Sequence, residues 1–247
     1  MTTDTRLLTA RGQVARRAAQ ILTPLQRGYL ADQPPDVAAL ARLRRGAGRG
    51  AGQLPDLWNL IDTGPLHAPP DDARPLRENE LVRAEDALHV SLTLWALHQQ
   101  SRPTGMHQTD RKDHRRGLGT AVRRMMTPGE IDEPLRKRLV RAGTAPDLTS
   151  LAQRLRDIVV LLRRADIPLD YALLAGQLYT WQRPGGADAV RREWGSSFHA
   201  WHDQDAETPE SGRSAPAGGA ITGTTDIDTT DSDTTDIDTT DIDKDAL

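Results

Sequence analysis

The sequence predicts an all-α protein: a helical bundle in two small helical domains, followed by a disordered acidic C-terminal tail. Apolar residues recur at intervals of three and four along most of the chain, which is the spacing of one face of an α-helix. From residue 207 onward there is no aromatic residue, and a Thr-Thr-Asp-Ile-Asp repeat ends the chain. Such a segment has too little apolar surface to fold. We place the parts at residues 1–105, 106–206 and 207–247.

The first predicted helix covers residues 7–30, where Val14, Ala18 and Leu25 lie on one side. A second helix starts at Pro34, since proline is favoured at the first helical position. Residues 46–52 read Gly-Ala-Gly-Arg-Gly-Ala-Gly. No strand precedes this stretch and no Lys-Ser or Lys-Thr follows it, so we interpret it as a flexible linker and not as a phosphate-binding loop.

Residues 76–100 contain neither glycine nor proline, and this length favours a helix. The alternation of Leu88, Val90, Leu92 and Leu94 is also compatible with a strand. We predict a helix here. The polar stretch 101–119 then forms a loop between the two halves, because Pro103 and Gly105 interrupt any periodic pattern.

Five further helices are predicted after the loop. The strongest stripe contains Leu151, Leu155, Ile158 and Leu162, at spacings of three and four. The following segment repeats this spacing, so the two helices can pair their apolar faces. The five segments are residues 121–126, 131–142, 147–165, 169–181 and 187–201.

The formal net charge of −3 conceals an uneven distribution. Residues 1–203 carry 30 Lys and Arg against 23 Asp and Glu, whereas residues 204–247 carry 2 against 12. All but Lys112 and Lys137 of the cations in the body are arginines. A basic body indicates a polyanionic partner, and arginine binds phosphate in bidentate fashion. A GC-rich genome would produce the same preference for arginine.

Several classes of function find no support in the sequence. There is no cysteine, hence no disulfide, no thiolate nucleophile and no cysteine-ligated zinc. His199 and His202 form the only close histidine pair, without a third ligand nearby in sequence. No hydrolase motif, signal peptide or membrane-spanning run is present. We therefore expect a cytoplasmic protein that is not an enzyme and needs neither cofactor nor metal.

Arginines cluster on helices that also carry apolar stripes. Each cluster taken alone is typical of a solvated helix face. Together they predict a basic surface that contacts several phosphates without reading bases. A free-standing, arginine-rich nucleic-acid-binding regulator remains an alternative, although we find no clear helix-turn-helix. The clusters are Arg42, Arg44 and Arg45; Arg123 and Arg124; Arg136, Lys137, Arg138 and Arg141; and Arg154, Arg156, Arg163 and Arg164.

Between about residues 7 and 201, the order of several short segments resembles the CasB family, the small subunit of the type I-E CRISPR Cascade complex. The tail is not covered by this resemblance. The matching segments are Ala41-Arg-Leu-Arg-Arg-Gly46, Pro55-Asp-Leu-Trp58, Trp95-Ala-Leu-His98, Gly117-Leu-Gly-Thr-Ala-Val-Arg-Arg124, Leu135-Arg-Lys-Arg-Leu-Val-Arg141, Ile167-Pro-Leu-Asp-Tyr171, Leu178-Tyr-Thr-Trp181 and Val190-Arg-Arg-Glu-Trp194.

The resemblance implies a two-domain helical subunit that is present in two copies within Cascade. Its partners would be the large subunit, the backbone subunits, the crRNA and the target DNA. Its role would be to stabilise the R-loop by holding the displaced strand and the nearby crRNA and target backbone, independently of sequence. A purely structural adaptor that binds only protein is a further alternative.

The resemblance also implies nucleic-acid-binding positions. Arg124 adjoins one of them, and we add Arg156 because of its place on its helix face. Near Gly117 the chain carries Arg111, Lys112, Arg115 and Arg116, which either contact nucleic acid or serve no such role. The positions that the family implies are Arg44, Arg45, Arg83, Arg123, Arg136 and Arg141.

Overall fold

The computed structural model describes residues 8–50, 57, 59–111 and 115–207, the last seven of these by their backbone alone. These residues form nine α-helices and, apart from two isolated β-bridges, no strand, which confirms the all-α prediction. Only the short α3 was not expected from the sequence. The helices are α1 (Ala10–Leu30), α2 (Pro34–Arg44), α3 (Gly64–His67), α4 (Glu78–Gln99), α5 (Leu118–Arg123), α6 (Glu133–Gly143), α7 (Leu148–Arg164), α8 (Tyr171–Trp181) and α9 (Gly186–Glu207).

Helix α4 lies at the centre of the bundle and packs against α1, α2, α7 and α8. Every residue from Leu88 to Ala96 is buried. A helix surrounded by protein on all sides is apolar all round and loses the one-sided pattern of a surface helix. This explains why its sequence was also compatible with a strand.

Helices α1 and α8 pack closely because a glycine lies between them. A β-carbon on Gly176 of α8 would lie 3.2 Å from the Cγ atom of Arg11 and 3.3 Å from its main-chain oxygen. Around this contact Val14, Leu174 and Leu178 are buried. One hydrophobic core therefore connects the first helix of the N-terminal half with the C-terminal half.

The predicted boundary at residues 105 and 106 lies in a segment that is held from both sides. The main-chain oxygen of buried Met106 accepts a hydrogen bond from Leu169, and the main-chain nitrogen of His107 donates to Gln26 on α1. The described residues belong to one compact unit. The division into two helical domains, residues 1–105 and 106–206, stays a prediction.

Three helices begin at an aspartate whose carboxylate accepts a hydrogen bond from the main chain of the first turn. The residues are Asp132, Asp147 and Asp170, before α6, α7 and α8. Such caps satisfy amides that have no partner within the helix. The cap at Asp147 fixes the start of α7. This helix carries part of the candidate site.

Some predictions concern residues outside the described part of the chain. These are the disorder of the acidic tail beyond residue 207, the motif residue Trp58 and Lys112 of the arginine-rich loop. Among the described helices, none is both long and apolar enough to cross a membrane.

Candidate nucleic-acid interface

The end of α2 and the turn that follows it form one side of a cleft of about 450 Å³. Helices α4 and α7 contribute the rest of its lining. Four arginines line this cleft, Arg44, Arg45, Arg49 and Arg156, and we call it the arginine cleft. The other described lining residues are Ala47, Leu97, Gln100 and Gln153, so none of them is acidic.

Residues 46–49 belong to the glycine-rich segment that we interpreted from the sequence as a flexible linker. In the structure they are packed against neighbouring residues. A β-carbon on Gly46 would lie 2.6 Å from the Cγ2 atom of Thr93 and 2.9 Å from the Cδ1 atom of Leu57. The side chain of Gln153 donates a hydrogen bond to the main-chain oxygen of Gly48. The small residues therefore allow the chain to lie directly against its neighbouring helices.

All four arginines of the cleft are exposed, and none forms an ion pair with another described residue. Many other arginines are neutralised within the chain, as in the bidentate pair of Arg11 with Glu193, at 2.6 and 2.7 Å. A concave surface with several unneutralised cations concentrates positive potential. Further ion pairs are Arg16–Asp72, Arg17–Asp62, Arg74–Glu80, Arg102–Asp166, Arg115–Asp110, Arg136–Glu133 and Arg191–Asp188.

The structure brings three of the eight predicted site residues together in this cleft, namely Arg44, Arg45 and Arg156. Sequence reasoning missed Arg49, which lies within the segment interpreted as a linker. The only sequence signal was its position four residues after Arg45. The turn that places it at the cleft is closed by a hydrogen bond of 2.9 Å from the main-chain nitrogen of Arg49 to the main-chain oxygen of Gly46.

Arg83 lies elsewhere, near the N-terminal end of α4. It precedes Leu97 of the cleft by 14 residues, or roughly 21 Å along the helix axis. Arg83 is half-buried as a residue, and its main-chain oxygen accepts a hydrogen bond of 2.8 Å from Gln182. Arg83, Arg74 and Arg183 all lie near Tyr179, so positive charge also gathers around this part of α4 and α8.

Arg123 is fully buried, because every residue of α5 from Leu118 to Arg123 is enclosed by neighbouring elements. Its Nη1 atom donates a hydrogen bond of 3.2 Å to the main-chain oxygen of Thr127. It offers no accessible surface to a nucleic-acid strand in this structure. Arg124 is half-buried, and burial together with the positive charge of Arg116 lowers the pKa of its guanidinium.

Arg136 and Arg141 lie on the exposed face of α6. Arg136 forms two hydrogen bonds with the carboxylate of Glu133, at 2.8 and 2.9 Å, so its charge is partly neutralised. Arg141 forms no ion pair with another described residue. Its main-chain oxygen accepts a hydrogen bond from Arg154 of α7, which ties α6 to α7.

Arg111, Arg115 and Arg116 belong to the loop before α5. Arg115 pairs with Asp110 at 3.2 Å, and the Nε atom of Arg116 donates to the side chain of Gln108 at 3.0 Å. Arg111 is exposed. The loop is therefore held by these internal contacts and by Asp170, whose carboxylate accepts a hydrogen bond of 2.7 Å from the main-chain nitrogen of Asp110.

These features define an all-α, arginine-rich protein with a cationic cleft. Within the part of the chain that the structure describes, no group of three or more His, Cys, Asp or Glu side chains is placed to hold a metal ion. The chain belongs to the family of the CRISPR-associated protein Cse2, whose sequence profile matches residues 39–199. The four arginines of the cleft lie within the matched region, and the resemblance to CasB in the sequence is confirmed.

Two solved structures are similar to this chain, and the first of them supports the family assignment. The crystal structure of CasB from Thermobifida fusca is 51% identical, with a TM-score of 0.67, and the match covers 76% of this chain and 98% of that chain. A chain from a CRISPR RNA-guided surveillance complex is 18% identical, with a TM-score of 0.53, over 77% of this chain and 96% of that chain. At that identity the second match shows the fold alone. No curated protein matched the sequence.

Proposed function

We propose that this chain is a non-enzymatic small subunit of a type I-E CRISPR Cascade complex, and that its arginine cleft binds the backbone of a nucleic-acid strand to stabilise the R-loop. The observation that carries the proposal is the cleft itself. Four exposed arginines meet there with no acidic residue among the described lining residues. Membership of the Cse2 family supplies the biological setting.

The chemistry of the cleft fits a phosphate backbone. A guanidinium donates two parallel hydrogen bonds to one phosphate and keeps its charge at any physiological pH. Contacts of this kind position a strand but carry no sequence information. Formation of an R-loop exchanges one set of base pairs for another of similar energy, so a few such contacts decide the balance.

The strand we propose for the cleft is the displaced strand of the target DNA or the nearby backbone of the crRNA and its target. The large subunit, the backbone subunits and a second copy of this chain would be the protein partners, all in the cytoplasm. We assign secondary contacts, with nucleic acid or with neighbouring subunits, to Arg83, Arg124, Arg136 and Arg141. Arg123 supports α5 from within.

The test combines assembly with a measurement of the opened DNA. A tagged chain is co-purified with the products of neighbouring genes, and any bound RNA is sized. The reactivity of unpaired thymines to permanganate then reports on the displaced strand. The main variant is the triple reversal Arg44→Glu, Arg45→Glu and Arg156→Glu. Arg27→Glu is the control for the single reversal Arg156→Glu, which is measured beside the triple variant, because Arg27 is exposed, lies outside the cleft and pairs with no described carboxylate.

We expect the wild type and the control to assemble with a guide RNA of uniform length and to keep the R-loop open. The triple variant should assemble but lose the open strand. An assembled triple variant with an equally stable R-loop would refute the role of the cleft. A chain that purifies alone and binds nucleic acid unaided would favour the free-standing regulator.

A further inference from the structure

The turn after α2 has a backbone that only glycine adopts readily. Gly48 has a φ of +83°, in the left-handed region. A β-carbon at this position would lie 2.9 Å from the Oε1 atom of Gln153 and 3.1 Å from the Cδ atom of Arg156. The backbone of the turn therefore lies against α7, next to one of the arginines of the cleft.

Two main-chain oxygens of the turn are bound by side chains from different helices. Gln153 of α7 donates a hydrogen bond to the oxygen of Gly48, and the Nε2 atom of His89 on α4 donates to the oxygen of Arg49 at 3.1 Å. Carbonyl oxygens that faced the cleft would repel phosphate oxygens. Here both are engaged within the protein, so the turn presents arginine side chains without exposing these two acceptors.

We propose that the turn of residues 45–49 is a preorganised phosphate-binding element, in which Gly48 and Gln153 are positioning residues for Arg45 and Arg49. This inference rests on the proposed function and deepens it. A strand that binds to a turn whose backbone is already held in place loses less free energy to ordering the protein than one that must organise a flexible linker. The affinity of the cleft then depends on residues that carry no charge.

The test measures binding of the full chain to a fluorescent single-stranded oligothymidylate of about 20 nucleotides, at low salt, by anisotropy. The variants are Gly48→Ala, which strains the turn, and Gln153→Ala, which removes a hydrogen bond from an exposed side chain. Gly50→Ala is the matched control. A β-carbon at Gly50 meets nothing within 4 Å, and its φ is not positive.

We expect Gly48→Ala and Gln153→Ala to weaken binding about five-fold each, and Gly50→Ala to leave it unchanged. Gly129→Ala separates the effect of backbone strain from a loss of arginine positioning. Gly129 also has a positive φ, +79°, but a β-carbon there would meet no atom within 4 Å. This variant should lower the melting temperature as Gly48→Ala does without lowering the affinity. In a background that carries both Arg45→Ala and Arg49→Ala, Gln153→Ala should cause little further loss, since residues that act together are not additive.

Two outcomes separate this inference from the proposed function. If Gly48→Ala and Gln153→Ala bind as tightly as the wild type while Arg44→Ala and Arg156→Ala bind weakly, the positioning role is wrong and the cleft stands. If the arginine variants also bind as the wild type does, the proposed function fails, and the inference fails with it.

Discussion

The side-chain amide of Gln153 on α7 donates a hydrogen bond to the main-chain oxygen of Gly48, 105 positions earlier in the chain. This bond joins the turn after α2 to a helix of the other half of the sequence. It lies at the cleft in which Arg44, Arg45 and Arg49 meet Arg156. The candidate site therefore forms only when segments that are far apart in the sequence come into contact, here the turn after α2 and helix α7.

Binding of a single strand to the arginine cleft should depend strongly on salt. Each phosphate contact on a single strand contributes a slope of about −0.7 to the plot of log K against log salt concentration. Arg156→Ala should therefore make the slope less negative by roughly 0.7, whereas Arg27→Ala should leave it unchanged. Anisotropy titrations between about 50 and 200 mM salt measure this. Equal slopes for the two variants would contradict the assignment of Arg156.

Replacement of Gly119 by alanine should destabilise the protein. A β-carbon there would overlap the main-chain oxygen of Trp194 and the hydroxyl of Ser197, and would lie 2.8 Å from the main-chain nitrogen of Phe198. Overpacking of this kind costs about 1–3 kcal/mol, or a fall of roughly 2–12 °C in Tm for a protein of this size. Thermal unfolding followed by circular dichroism measures the change.

Gly195→Ala is the control for Gly119→Ala, because a β-carbon at Gly195 of α9 meets nothing within 4 Å. Alanine in the interior of a helix is more favourable than glycine by about 0.5–1 kcal/mol. This variant should therefore be slightly more stable than the wild type. A Gly119→Ala protein as stable as the wild type would show that α5 and α9 are not packed as described.

Acid should destabilise the fold through His98. Burial first, and then the positive charges of Arg102 and Arg163, lower the pKa of this imidazole from 6.5 to about 3. Between these values the unfolded chain binds a proton that the folded protein rejects, so the free energy of unfolding decreases as the pH falls. The expected slope from this group approaches about 1.4 kcal/mol per pH unit as the pH falls below 6.5.

Urea denaturation between pH 7 and 5 tests this prediction, since most carboxylates do not titrate in that range. His98→Gln should flatten the pH dependence, although the residual slope includes His89 and His107, whose pKa values burial also lowers. His199→Gln is the control, because His199 is exposed. An unchanged slope in His98→Gln would rule out His98 as the source.

Loss of the cap of α7 should have a smaller, local effect. The carboxylate of Asp147 accepts a hydrogen bond of 2.7 Å from the main-chain nitrogen of Ser150 and one of 3.0 Å from its hydroxyl. Asp147→Ala should cost about 1 kcal/mol, or roughly 2–4 °C in Tm. Asp157→Ala, at an exposed position within α7, should change Tm little. Equal shifts for the two variants would exclude a specific capping role.

The sequence predicted most helices correctly because the signals for a helix are local. The periodic leucines of α7 and the capping aspartates act over three or four residues, a distance that can be read directly from the chain. The same reasoning was least clear for residues 88–94 of α4, since burial on every side removes the periodic pattern. It missed α3, which has only four residues.

The candidate site was predictable only in part. Arg44 and Arg45 were expected from the family resemblance and Arg156 from its helix face, and the structure brings all three to one cleft. The full burial of Arg123 was not visible, because periodicity within a six-residue helix does not tell which face the neighbouring helices cover. Arg136 was expected to contact nucleic acid, whereas in the structure its guanidinium pairs with the carboxylate of Glu133.

By itself, the sequence determined the all-α class, the approximate extent of most helices, the excess of arginine in the body and the membership of the family. The first three follow from composition and from interactions between residues close in the chain, and the family follows from the order of the matching segments. Only the tertiary structure decided which arginines meet in a cleft, which are neutralised and which are buried. The reason is physical: each of these outcomes depends on contacts between segments far apart in sequence, such as Gly48 with Gln153 and Arg11 with Glu193.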